Sequence, residues 1–571
     1  PHSPSAGDSV GHAELAFTFD SRLGSLAARL DFFEHQHSRK RLLRNFLERA
    51  SIADRTAVLI MSRSSIAKSE TENPDLSEVS ASPFWGYFSP ELYVGVWILV
   101  VLNFNLFSLA ESSLWTDEVI MLITSEMSLY ESLVQQQDYA APLYQLVLRV
   151  LIPIFGKSES VLRLPALLSA IFCVPAIWWM ASMMFNRNVA ALAIPLMVLN
   201  PLFIQYTHEA RPYSLFMLLS VLSMGMFFRW HRDKEQRDML SWLIISAILV
   251  NTHYYGFLPF ISQVIWVCFE ARRNQIGVSL PRKPFLFTAF ASTILILIAM
   301  WRFLNILLNG APATLGGWIQ PPSFVDVLSW RIFGDLFGLP NWGLLFTIGI
   351  LSSLIYSLPT RINSGVPQTN KCSINAIQSK TGIYFCIIWI LVAVIIPAFI
   401  VPIVWRPVYI TRYGLPAMIP LLLLVLVAND LLVPRKIRII IPTIVVLLLV
   451  SQLQKSVTPR RGFPEVVNWI QSTTHENSTV FVADWSYVEG FVNPEIVGMQ
   501  YYGLKDRKFR LLKLNHPYGS GFANPNLIPQ QERFILVAFL NIDGISEHFD
   551  QTSRKYRLLW FDSLGVFNVS P

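Results

Sequence analysis

The sequence predicts a polytopic α-helical membrane protein, a bundle of about eleven transmembrane helices followed by a small C-terminal α/β domain. Three observations predict it. The 571 residues are 53% apolar and only 15% charged, with a mean hydropathy of +0.44, a balance that soluble globular chains rarely show. Apolar runs long enough to approach the thickness of a bilayer recur from about residue 92 to residue 453. From residue 455 onward the composition is that of an ordinary globular domain.

Residues 1–90 are polar and mixed, with no secretory signal pattern, and read as a cytoplasmic extension. They hold an amphipathic stretch at about 13–50 with a basic cluster at 39–44, then a Ser/Glu-rich stretch at 62–82 that is expected to be disordered. The membrane part, 91–454, has apolar segments at about 92–110, 164–184, 189–204, 213–228, 239–252, 257–270, 285–307, 342–358, 382–403, 414–431 and 437–453. A twelfth candidate, PLYQLVLRVLIPIF at 142–155, starts with Pro142, carries Arg149 and is interrupted by Pro153, so it reads as interfacial. In the C-terminal part, 455–571, TVFVAD, RFILVAF and KYRLLWF read as short buried strands and FPEVVNWIQ as the start of a helix.

Charge decides how the chain is threaded. With 142–155 outside and the N-terminus inside, the inner loops carry fifteen basic residues: Arg187, Arg229, Arg232, Lys234, Arg237, Arg272, Arg273, Arg282, Lys283, Arg361, Lys371, Lys380, Arg435, Lys436 and Arg438. The outer loops carry seven: Arg149, Lys157, Arg163, Arg211, Arg331, Arg406 and Arg412. This is a positive-inside bias, and a twelfth span would reverse it. The net charge of +7 therefore reflects topology and does not imply a nucleic-acid partner. The four cysteines, Cys173, Cys268, Cys372 and Cys386, have no metal-site spacing.

In this threading the unusual polar residues fall on the outer face. SLWTDEVIML brings Asp117 and Glu118 just after the first span; IQYTHEARPYS brings His208, Glu209 and Arg211; NTHYYGF brings His253 and Tyr254; WRPVYITRYGLP brings Arg406 and Arg412. Arg163 lies on the same face, and Arg302 near the outer end of an apolar span, where an arginine is either functional or snorkelling. A carboxylate deprotonates a hydroxyl or amine acceptor or holds a divalent cation, and the sequence leaves both open. Arginines bind phosphate oxygens and neutralise a departing phosphate. Together they imply an anionic, phosphate-bearing substrate that arrives from the lipid, such as a polyprenyl-phosphate sugar. Consistently, no Walker-type or Gly-rich nucleotide loop is present in the sequence.

The order of SLWTDE, APLY (141–144), FGKSESVLRLPALLSA (155–170), FNRN and NPLFIQYTHEARPYSL, with HYYGF and RYGLPAMIPLLLL further on, resembles the GT-C membrane glycosyltransferases. The resemblance is to the branch of protein O-mannosyltransferases and lipid A aminoarabinose transferases, the glycosyltransferase family 39-like enzymes. It covers roughly 90–430 and is strongest over 112–220. It implies a GT-C-like bundle with juxtamembrane helices in the first outer loop, an extracytoplasmic site and a dolichyl- or undecaprenyl-phosphate sugar donor. By the resemblance Asp117 is the catalytic base and Glu118 its partner, while Glu209 matches the second-loop acidic position beside Arg211. Arg211, His208, His253, Tyr254, Arg412, Arg406, Arg302 and Arg163 are the candidate substrate-binding residues.

The implied activity is inverting transfer of a sugar in a plasma membrane of bacterial type, with the acceptor open among protein, glycolipid and polysaccharide. The rival reading, a transporter or flippase of a lipid-linked sugar, calls for ionisable residues near the bilayer midplane and often inverted repeats. Here the polar residues gather at one face and no repeat is evident.

Overall fold

An apolar run that crosses a bilayer satisfies its backbone within itself as a helix. Each of the eleven apolar segments contributes helix in a computed structural model of the chain. The structure describes residues 89–571 apart from 107–108, 110, 132–140, 273–282, 310–322, 324–330, 358–370, 405–408, 435–436, 458–459, 461, 477, 485–491, 515–521, 523–527, 530–532, 539–541, 553, 563 and 571. The expectations for residues 1–88, and for Arg406, lie outside the described residues.

The helices are α1 (Pro90–Leu106), α2 (Thr116–Glu126), α3 (Leu143–Phe155), α4 (Glu159–Met184), α5 (Arg187–Val198), α6 (Pro201–Thr207), α7 (Tyr213–Asp233), α8 (Gln236–Thr252), α9 (Phe257–Arg272), α10 (Lys283–Asn309), α11 (Arg331–Asp335), α12 (Gly343–Ser357) and α13 (Lys371–Ile390). A π-helical stretch, Leu391–Ile400, leads from α13 into α14 (Val401–Val404). A 3₁₀ turn, Thr411–Ala417, opens α15 (Met418–Leu432), and α16 is Ile440–Val457. Among the described residues five helical stretches are long and apolar enough to cross a membrane, or six if the pair α5–α6, bent by 63° at its break, is one span. The others expected as spans are shorter; α8 and α9, for instance, have 17 and 16 residues. The segment 142–155 is a separate short helix, α3, as its prolines and arginine indicated.

The segment 189–204 was expected as one span, and its bend has a local cause. Asn200 ends α5 and caps α6, its side-chain oxygen accepting from Leu202 N and Phe203 N, with Pro201 at the first helical position. The Asn200 amide also donates to Leu336 O and Met418 Sδ, each at 3.0 Å, which ties the bend to two distant segments. Around it α7 packs on α8 and α4, α4 on α5, and α12 on α15. The most apolar 18-residue windows of Tyr213–Asp233 and Thr411–Leu432 are 78% buried, so these stretches form the centre; that of Leu286–Leu304 is 17% buried and lies at the periphery.

Beyond α16, α17 (Gly462–Thr473), β1 (Val480–Asp484), α18 (Pro494–Tyr501), β2 (Phe509–Lys513), β3 (Phe534–Ala538), α19 (Ile542–Gln551), β4 (Tyr556–Phe561) and β5 (Leu564–Val569) build a five-stranded sheet. Its order is β2-β1-β3-β5-β4, with β1 parallel to β2 and β3, and β5 antiparallel to β3 and β4. The run KYRLLWF, expected to be buried, is the edge strand β4, and its Trp560 is 59% exposed. One apolar core joins this domain to the first loop of the bundle: Leu114, Val119 and Leu122 pack in the same cluster as Phe463, Val466, Val482 and Met499.

Replacement of Asn200 by alanine removes the cap and leaves the Leu336 carbonyl without its donor. Loss of the cap alone costs about 1 kcal/mol. The variant is expected to melt below the wild type in detergent, which differential scanning fluorimetry would register.

Candidate active site

The two adjacent carboxylates are the second and third residues of α2, where acidic side chains face the unpaired amides and positive end of the helix dipole. Successive residues on a helix point about 100° apart, so the pair diverges.

Glu118 turns inward and is fully buried. Its Oε1 accepts from Arg163 Nε at 2.8 Å and Ala210 N at 2.6 Å; its Oε2 accepts from Arg163 Nη2 at 2.8 Å and Trp115 N at 3.2 Å. Four donors occupy the roughly four lone-pair sites of a carboxylate. Glu118 thus positions the start of α2 and the 208–211 loop and has no lone pair left for a substrate.

Arg163, at the start of α4, is the other half of this knot. Besides Glu118 it donates from Nη1 to Leu109 O (2.8 Å) and Ser112 O (2.6 Å) and from Nη2 to Ser113 O (3.0 Å). All five guanidinium hydrogens are used. Expected among the substrate-binding residues, it lies 1% exposed with all its donors engaged within the protein.

Asp117 faces the other way, into a partly open site, with an 18% exposed side chain. Its Oδ2 lies 3.5 Å from Arg412 Nη1 and 3.7 Å from Arg211 Nη2, and Arg211 Nη1 donates to the Asp117 carbonyl at 3.3 Å. These contacts are long beside the 2.8 Å Glu118 pair. The Arg412 guanidinium lies 5.8 Å from the ring centres of both Tyr213 and Tyr413. Two guanidinium groups thus flank the Asp117 carboxylate.

His253 backs this cluster. Its ring stacks on Phe216 at 4.7 Å and lies 5.2 Å from Tyr413, and Nδ1 accepts from Tyr255 N, which leaves Nε2 as the protonated nitrogen of the neutral ring. Gly256 permits the turn that follows, since a Cβ there would lie 2.8 Å from the Leu249 carbonyl oxygen. Tyr254, the neighbour in sequence, turns the opposite way into an apolar cluster with Phe257, Ile296 and Ala299, 5.4 Å from the Phe303 ring. Tyr254 is expected from the sequence to bind substrate; in the structure Tyr255, 4.6 Å from Tyr413, is the tyrosine of that turn that joins the cluster. Arg302 sits on α10 beside Phe303, and its Nη2 has no hydrogen-bond partner among the described residues.

His208 donates from Nε2 to Phe104 O at 3.2 Å and so anchors its loop to α1. Glu209 is 3% exposed; its Oε1 accepts from Arg460 Nη2 at 2.8 Å and Gln205 Nε2 at 3.1 Å, and its Oε2 has no partner among the described residues. Burial pushes this carboxyl up from its usual range, and the Arg460 charge opposes that shift. Arg460 carried no sequence signal, while Tyr213, Tyr255 and Tyr413 lie in motifs that the sequence already marked, and their place in the cluster shows only through neighbours distant in the chain. Among the described residues no group of three or more His, Cys, Asp or Glu side chains is placed to hold a metal ion.

A fold of this kind, with an acidic first loop and arginines gathered at one end of a helical bundle, defines a class. It is similar to that of ArnT from Cupriavidus metallidurans in the apo state, with a TM-score of 0.50 at 13% identity over 84% of this chain and 98% of that one. ArnT bound to undecaprenyl phosphate gives 0.49 at 12% identity with the same coverage. The Archaeoglobus fulgidus oligosaccharyltransferase in complex with Zn and sulfate gives 0.45 at 12% identity, over 78% of this chain and 67% of that one. Residues 139–317 match the family model described as dolichyl-phosphate-mannose-protein mannosyltransferase. The resemblance to the GT-C glycosyltransferases thus stands on a family signature as well as on the fold. The match begins downstream of Asp117 and Glu118, so geometry alone carries the acidic pair. No curated protein matches the chain.

Two predictions follow from this geometry. Glu118→Gln strips the buried Arg163 of its counter-charge, and breaking such a pair costs about 3–5 kcal/mol. Circular-dichroism melts are expected to show a large loss of stability, whereas Asp117→Asn, in a looser and more exposed site, should melt close to the wild type. The second concerns pH. Burial depresses His208 to about 4 and His253 to about 3, from 6.5. The unfolded chain therefore takes up these protons first. The stability from keeping both rings neutral is complete above about pH 6.5 and falls as pH drops toward those lowered values. Melting temperature should fall between pH 7 and pH 5, and His253→Gln should reduce the fall.

Proposed function

We propose that the protein transfers a sugar from a polyprenyl-phosphate donor to a nucleophilic acceptor at the extracytoplasmic face of a membrane, with inversion at the anomeric carbon. The observation that carries the reading is the convergence of Arg211 and Arg412 on the carboxylate of Asp117 at 3.5–3.7 Å. The family description matched over 139–317, which names a dolichyl-phosphate sugar, supports the donor class. The bias of basic loop residues supports the sidedness, with this end of the bundle and the C-terminal domain outside.

In this reading the donor phosphate inserts between the two guanidiniums and loosens their hold on Asp117. The freed carboxylate accepts the proton of the acceptor hydroxyl or amine. The acceptor's lone pair forms the new bond to the anomeric carbon as the bond from that carbon to the phosphate oxygen breaks, and its electron pair leaves with the polyprenyl phosphate. The arginines stabilise the negative charge where it collects. No nucleotide is needed, because the lipid phosphate is itself the leaving group.

The test is transfer of radiolabelled sugar from a native lipid extract by purified protein in bilayers. Asp117→Asn should abolish transfer while retaining donor, and transfer equal to wild type would remove Asp117 from the base role. Arg412→Ala and Arg211→Ala should each raise the donor KM by about 10–100-fold, the equivalent of one charged hydrogen bond of ~1.5–3 kcal/mol.

A further inference from the structure

Arg460 lies in the short connection between α16 and α17, where the chain passes from the bundle to the sheet domain. Its side chain touches both loops that carry the charged cluster. Its guanidinium lies 4.7 Å from the centre of the Trp115 ring, and Trp115 is the N-cap of α2, two residues before Asp117. Its Nη2 donates to Glu209 at 2.8 Å, two residues before Arg211. Its backbone holds the same strand of chain, with N donating to Ser112 Oγ at 2.9 Å and O accepting from Ser113 N at 2.8 Å. The sheet domain grips that strand a second time: Leu114 N donates to the Tyr502 hydroxyl, which in turn donates to Glu159 at 2.8 Å. Residues 112–115 are thus clasped between Arg163 on the bundle side and Arg460 with Tyr502 on the other.

We propose that Arg460 is a positioning residue for the reaction centre: it links the loop that bears Asp117 to the loop that bears Arg211, and through it the C-terminal domain governs turnover more than donor affinity. The inference rests on the glycosyl-transfer reading for its kinetic consequence, but not for its structural one. A guanidinium suits the task because it stacks on an aromatic face and bonds a carboxylate at once, whereas an ammonium keeps the charge without the planar fork.

The test uses the full chain in bilayers, with Arg460→Ala, Arg460→Lys and Tyr501→Phe. The last removes the hydrogen bond from Tyr501 to Lys157 O and its interaction with Glu159, domain contacts that do not involve Glu209. Two quantities are measured: kcat and KM with undecaprenyl-phosphate sugar from lipid extract, and hydrogen exchange of peptides covering 112–119 and 205–212. Arg460→Ala should lower kcat by ~10²-fold, the scale of an ångström-level misplacement, with little change in donor KM. It should also speed exchange in both peptides. Arg460→Lys should be intermediate in both, and Tyr501→Phe should resemble the wild type. Unchanged exchange in Arg460→Ala, or unchanged kcat in an active enzyme, would overturn the proposal. If the wild type transfers no sugar, the proposed function fails on its own and exchange alone decides the place of Arg460. Should the alanine variant not fold, the lysine variant supplies the same comparison.

Discussion

The structure of the site depends on one buried ion pair, Arg163 with Glu118. Burying two charges is costly, and the pair is tolerable only because every polar atom in it is satisfied. Three of the guanidinium hydrogens go to the carbonyls of Leu109, Ser112 and Ser113, which pins the exit from α1 to the head of α4. The carboxylate reaches the other way, to the amides of Trp115 and Ala210, and so pins the start of α2 to the second loop. Three stretches far apart in sequence, residues 109–118, the head of α4 and the second loop, are joined at one point with every polar atom of the pair engaged. Asp117 inherits its place from this junction, since the turn of α2 that carries it cannot shift without breaking the knot.

That rigidity has a counterpart in looseness one residue earlier. Asp117 meets its arginines at distances beyond good hydrogen bonding and keeps some exposure. A tight bidentate pair there would neutralise the site and close it. The observed arrangement holds two cations beside the carboxylate through Tyr213, Tyr413 and the backbone of Asp117, without the short bidentate contacts of the Glu118 pair. Neighbouring carboxylates of the same helix therefore divide the work. The one at the third position spends all its lone pairs on architecture, and the one at the second spends almost none.

Much of this was legible in the sequence. Apolar runs give helices regardless of tertiary detail, so each of the eleven segments contributes helix among the described residues, although only five helical stretches, or six with the bent pair, are long and apolar enough to cross a membrane. The motifs that gather Asp117, Arg211, Arg412 and His253 at one end were visible because polar residues stand out against apolar neighbours. Their individual tasks were not. Arg163 and Arg211 look alike in the sequence, and only the carbonyls around the first show that its donors are spent. Tyr254 and Tyr255 are adjacent, and the direction of one turn decides which joins the cluster. The bend at Asn200 was signalled by Asn-Pro, but its anchoring to Leu336 and Met418 was not. β2 was missed because it exposes most of its residues, and β5 because a glycine and an asparagine interrupt its apolar run.

The C-terminal domain changes meaning once its contacts are known. By composition it is a separate globular unit joined to a membrane bundle, and such units often move freely. Here its core continues into α2 through Leu114, Val119 and Leu122, and its hydrogen bonds end on residues 112–114 and on Glu159. A bundle whose helices are held mainly by apolar packing has little to fix the conformation of a loop that leaves the membrane. A sheet domain folded against that loop supplies a rigid wall of its own. The bundle thus sets where the arginines stand, the domain helps set where the carboxylate stands, and the site lies where the two meet.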